Sequence, residues 1–166
     1  AGGRTVLRFV HSGFSSDAQW DEMLDTMSSG WRYFFFNLKH YLEKHAGERR
    51  AMVWTRRPVS DRSRPQAWAE VLRALSVDPD AQEGSAFTFA IAGDRINGTV
   101  VQRKHPVHFA GTLPELNDSL LFLELEPGAE TWHLGFWLST YPLPPEKVAE
   151  LQTDVEGLMD ALLRGD

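Results

Sequence analysis

The chain has 166 residues, 42% of them hydrophobic, with ten Phe, six Trp and three Tyr, no Cys, and a formal net charge of −6. So many aromatic side chains exclude a disordered polymer, and the lack of Cys excludes disulfides, thiol catalysis and cysteine metal sites. The negative balance argues against nucleic acid or an anionic membrane as partner. No apolar run reaches the ~18 residues of a spanning helix, so the cytoplasm is the expected compartment.

The chain opens Ala-Gly-Gly-Arg, without Met or an apolar leader, as the interior of a longer protein or a processed end would. Arg4–Phe14 reads as a strand with His11-Ser12-Gly13 at its exit. Ser15 or Ser16 can cap the helix that follows over Asp17–His45, and Asp17, Asp21 and Glu22 suit a helix N-terminus. Trp20, Met23, Leu24, Met27, Trp31, Phe34, Phe35, Leu38, Tyr41 and Leu42 recur at three- and four-residue steps and define its apolar face. Ser28-Ser29-Gly30 predicts a kink or a junction of two helices, and Ala46-Gly47 the end.

A second unit begins at Glu48. Arg50–Arg57 is strand-like and is expected to stop at Pro58. Ser63-Arg64-Pro65-Gln66 has the spacing of a capping box for a helix over Gln66–Leu75, with Trp68, Val71, Leu72 and Leu75 on one face. Pro79 blocks its extension, leaving Asp78–Glu83 as a loop. From Gly84 the period changes to two. Phe87, Phe89 and Ile91 alternate with Thr88 and Ala90, Gly93-Asp94 suits a tight hairpin, and Arg95–Lys104 returns with Asn97-Gly98 as a bulge or bend. Val107–Leu113 and Leu120–Glu126 follow, Pro127-Gly128 turns the chain, and Thr131–Tyr141 runs with Trp132, Leu134, Phe136 and Leu138 facing one way. Pro144-Pro145 starts a last helix that ends at Arg164-Gly165, with Val148, Leu151, Val155, Leu158, Met159 and Leu162 on one face. Residues 49–166 thus read β-α-β-β-β-β-β-α: an α+β fold, a curved antiparallel sheet crossed by one long helix.

His11-Ser12-Gly13-Phe14, Gly30-Trp31, Leu38 and Tyr41-Leu42-Glu43 resemble the closing strand and C-terminal helix of START-like (SRPBCC) domains, in the branch that contains the heat-shock chaperone activators. The resemblance spans residues 1–48; residues 49–166 resemble the family only in order of elements. It implies a helix-grip fold and two domains: residues 1–48 as the strand-helix end of one, residues 49–166 as a second, diverged one. It also implies an apolar ligand pocket between sheet and C-terminal helix.

Arg49, Arg50, Arg56, Arg57, Arg62 and Arg64 lie close together. They read either as an anion site or as a solvated surface balanced by nearby acids, and the second is favoured because no aromatic stacking platform accompanies them. His105 and His108, three apart on a strand, should point to opposite faces, and His133 should lie near Glu124 or Glu126 in a surface polar cluster. No metal site and no cofactor is expected, since ligands must converge. Glu124 and Glu126 share a face opposite the leucines and are expected to meet water. No G-x-S-x-G, H-E-x-x-H, P-loop or dinucleotide glycine pattern is present, so no catalytic residue is assigned.

The expected function is a non-enzymatic START-like module holding a small apolar ligand between the sheet and the last helix. Phe87, Phe89, Phe109, Leu123, Trp132, Phe136, Val155 and Leu158 would line the site, or fill it as plain core. The alternatives are a protein-interaction module like the chaperone activators and an enzyme of the cyclase or dehydratase kind. Burying Trp31, Phe34, Phe35 and Phe36 is worth about 6–12 kcal/mol. That rivals the net stability of a domain, so a homodimer, or a separate N-terminal segment, is expected to cover them.

Overall fold

The computed structural model describes residues 5–10, 12–13, 19–59, 62–91, 93–127 and 131–164. Its elements are α1 (Gln19–Lys44), β1 (Ala51–Val59), α2 (Arg64–Ala74), β2 (Ala86–Ile91), β3 (Asp94–Lys104), β4 (His108–Leu113), a 3-10 turn (Pro114–Leu116), β5 (Ser119–Pro127), β6 (Trp132–Thr140) and α3 (Pro145–Arg164). Capping by Ser15 or Ser16, the side chains of Trp20 and Met23, the Pro127-Gly128 turn and the Gly165 end lie outside the described residues.

The strands form one antiparallel sheet in the order β1-β6-β5-β4-β3-β2. β2 to β6 is the expected meander. β1, first in sequence, joins it beyond β6, pairing Ala51 with Thr140 through Val59 with Trp132. α2 carries the chain from one edge to the other, its start fixed by Gln66 Oε1, which accepts the Ser63 N–H at 3.0 Å. On the inner face, Val53, Phe89, Phe109, Leu123, Leu134, Phe136 and Leu138 meet Leu151, Val155 and Met159 of α3 and Trp68, Val71 and Leu72 of α2 in one core. Leu158 and Leu162 pack against its margin. Strand alternation on the sheet and a three-to-four step on the helices put all of these on facing surfaces.

Four expectations change. Residues 5–10 and 12–13 carry no strand. The outer side of β1 is already engaged: Gln152 of α3 accepts the Trp54 N–H at 3.0 Å and donates to the Trp54 carbonyl at 2.9 Å, so a side-chain amide stands where a further strand would pair. α1 runs through Ser28-Ser29-Gly30 as one helix and not as two that meet there. There Ser28 Oγ donates to the Leu24 carbonyl at 2.6 Å, which satisfies the hydroxyl within the helix. β1 passes through Pro58 to Val59, because an edge strand can spare the N–H that Pro lacks. The bulge in β3 falls between Val100 and Gln102, not at Asn97-Gly98, which pairs regularly with Phe87 and Thr88. Gly98 serves another purpose. A Cβ there, or at Gly111, would meet the Phe87 ring at 2.4 or 2.3 Å, so the two glycines make room for that ring.

The largest departure concerns the outer face. At Glu124 it is only partly open to water, because α1 lies across it. Tyr33 stacks on Phe122 with ring centroids 4.0 Å apart and planes 8° from parallel.

Candidate functional site

α1 seats on the sheet through a face different from its apolar stripe. Its buried positions are Tyr33, Asn37 and His40, while Phe34 is 52% and Leu42 59% exposed. The reason lies opposite. The outer face offers polar partners: Asn37 Nδ2 donates to Ser139 Oγ at 3.0 Å, the Tyr141 hydroxyl donates to Asn37 Oδ1 at 3.1 Å, and His40 Nε2 lies 2.8 Å from the Asp118 carbonyl. Buried polar groups take the seat that satisfies them, since leaving one unpaired costs about 1–3 kcal/mol. Burial pushes the Tyr33 phenol well above its ordinary range and holds the His40 imidazole low.

Beside these contacts a cleft of about 430 Å³ remains open between helix and sheet. Gly30, Tyr33, Phe34, Asn37, Leu38 and Tyr41 line it from the helix. Arg50, Met52, Phe122, Glu124, Trp137 and Ser139 line it from the sheet side. The volume falls in the range of small-molecule sites, and the composition is theirs too: an apolar lining with few polar groups.

Glu124 is the unusual member. Its Oε1 accepts the Trp137 indole N–H at 2.7 Å. Burial, and then repulsion from Glu126, push its pKa up to about 7. The pair is built over Gly135, where a Cβ would meet Trp137 Nε1 at 2.6 Å and Glu124 Cγ at 3.0 Å. Only a residue without a side chain lets the indole and the carboxyl meet there.

The other singled-out residues fall into place around this frame. Arg56 pairs with Glu126, Arg57 with Asp160 at 2.9 Å and Arg62 with Glu70 at 3.3 Å, while Arg64 lies over the Trp132 ring at 4.4 Å. The balanced-surface reading therefore describes most of the arginine cluster, and Arg50 alone of the six opens into the cleft. His133 stands opposite Glu126, as strand pairing requires. His105 is exposed in the turn before β4, not on a strand with His108, and His108 is buried opposite Glu124. Among the described residues no three His, Asp or Glu side chains converge as metal ligands would.

The eight residues expected to line an interior site are assembled in one place. Phe87, Phe89, Phe109, Leu123, Phe136 and Val155 are buried in the core, with Trp132 and Leu158 packed at its edge. Phe87 meets Phe109 edge-on at 5.1 Å. The α1 cleft was not anticipated, although the strand carried a sign of it: Leu120 and Phe122 share the parity of Glu124, so that face is not a plain solvent face.

Comparison with protein-family models and with curated proteins gave no match. Comparison with solved structures finds the same fold repeatedly. The Aha1 dimer from Colwellia psychrerythraea superposes with a TM-score of 0.55 at 13% identity, over 68% of this chain and 93% of that one. Protein MLL2253 from Mesorhizobium loti gives 0.55 at 15% identity, over 70% and 99%. CalU16 from Micromonospora echinospora gives 0.50 at 18%, over 70% and 73%. The chain thus shares the α+β fold of these proteins, a six-stranded antiparallel sheet packed on a C-terminal helix. No described helix is long and apolar enough to cross a membrane.

Proposed function

We propose that this protein is a non-enzymatic helix-grip module that binds a small apolar ligand. The observation that carries the reading is the open, largely apolar cleft between α1 and the outer face of the sheet. The interior set around Phe89 and Phe136 is the second place for a ligand, and filling it requires α3 to move off the sheet. Two substitutions separate the sites. Gly30 lines the cleft and a Cβ there meets nothing within 4 Å, so Gly30→Phe should start a side chain in open space and take up room in the cleft. Leu158→Trp crowds the interior instead. With 1-decanol as probe and Trp fluorescence as readout, wild type and Leu158→Trp should bind and Gly30→Phe should not. Loss in Leu158→Trp alone would move the ligand to the interior, and no binding to wild type would overturn the reading.

One observation favours an acid–base role as a second reading: Glu124, with a pKa of about 7, faces the cleft opposite His108 in the strand register. A general acid or base works best with a pKa near the operating pH. A bound ligand recovered chemically unchanged supports the binding module against a cyclase or dehydratase.

We also propose that the outward stripe of α1 is covered by a second copy of the chain. Phe9 lies on Trp31 at 4.2 Å and on Phe35 at 5.4 Å, yet Val6, Leu7, Val10 and Phe34 remain exposed beside them. Large apolar side chains left exposed around a cluster of touching rings mark an interaction site.

A further inference from the structure

Resting on the cleft reading above, we propose that its ligand is an elongated apolar monocarboxylate, with the carboxylate at Arg50, the apolar body along Met52, Leu38 and Phe122, and the far end at the Trp137–Glu124 pair. The cleft has two chemically different ends. In the sheet, Glu124 stands opposite Gly135 and Ala51 opposite Thr140. At ~3.4 Å per residue the two rows are about 17 Å apart, so Arg50, one residue before Ala51, and Glu124 cannot meet. Arg50 Nη2 donates to the Met52 thioether at 2.7 Å, a weak acceptor, and this leaves most of the guanidinium's donors for an anion. A planar guanidinium binds a carboxylate through two parallel hydrogen bonds, whereas an alcohol can take only one. Phe34, Leu38, Met52 and Phe122 give an alkyl or aryl body its apolar walls, and the polar groups among them, Tyr33, Asn37 and Ser139, already hydrogen-bond one another. At the far end Glu124 Oε1 already accepts the Trp137 N–H, so the tail need not supply an acceptor for the indole.

The test compares decanoate with 1-decanol by calorimetry on wild type, Arg50→Gln, Arg50→Lys and Gly30→Phe. Arg50 is exposed, so both of its variants should fold as wild type does. Wild type should bind decanoate about tenfold more tightly than decanol, and affinity should rise roughly fourfold per added methylene until the cleft is full. Arg50→Gln should lose the preference for the acid while keeping the alcohol, Arg50→Lys should keep part of it, and Gly30→Phe should bind neither. Equal affinity for acid and alcohol in wild type, or a preference that survives Arg50→Gln, would overturn the carboxylate proposal and leave the cleft standing. Failure of both probes to bind wild type, or full binding by Gly30→Phe, would overturn the cleft reading itself.

Discussion

Glu124 has neighbours on three strands. Glu126 follows it on the same face, His108 stands opposite it on β4, and β6 presents Gly135 opposite it, with Trp137 and His133 on either side. Arg56 of β1 holds Glu126, and Tyr33 approaches from α1. Burial and then Glu126 raise the pKa from its ordinary 4.5 to about 7, against the lowering by the Trp137 hydrogen bond and Arg56. Between about pH 4.5 and 7 the folded protein therefore holds a proton that the unfolded chain releases. Stability must fall as pH rises through that window, by on the order of 3 kcal/mol in all. Glu124→Gln keeps an acceptor for Trp137 and removes the ionisation. In urea unfolding the variant should match wild type near pH 5 and exceed it by about that amount at pH 8. His40, whose imidazole is held low by burial, loses its contribution as pH falls below about 6.5 in both proteins alike and cancels from the difference. Equal pH slopes for the two proteins would show that Glu124 is ordinarily hydrated.

At the scale of elements, the sequence is legible where one periodicity answers to one partner. α3 presents Leu151 and Val155 to the sheet as its spacing requires, and β5 and β6 bury their alternate leucines and Phe136 as expected. α1 misleads because it answers to two surroundings at once. Its strongest apolar stripe, through Trp31, Phe34, Phe35 and Leu42, suggests a core-facing side, but the sheet is met by Tyr33, Asn37 and His40. Those three also follow a four-and-three step, and their polarity hides it from a hydrophobic pattern. What selects the seat is Ser139, Tyr141 and the Asp118 carbonyl, two of them more than 100 residues away in sequence. No local reading supplies them. The Trp137–Glu124 pair was hidden for the same reason: only the β5–β6 register brings Gly135 beneath it.

For the whole molecule, the outward stripe sets an expectation about assembly. Phe34 at 52%, Leu7 at 63% and Val6 at 89% exposure cannot be hidden by the contacts that Phe9 makes. Light scattering should show a dimer at micromolar concentration, and replacing Phe34 and Leu7 together by Ser should yield a monomer that still unfolds cooperatively. A stable monomer of 18.8 kDa from the unaltered chain would overturn the proposal. A single helix thus serves as both the roof of the cleft and the floor of the proposed contact between copies. Free energy placed on one side of it is then felt on the other, and thermodynamic reciprocity makes the two effects equal. An amphiphile that fastens α1 to the sheet should strengthen pairing of the chains by the same factor by which pairing strengthens the amphiphile. The protein would then report ligand concentration through its state of assembly, without any rearrangement of the sheet.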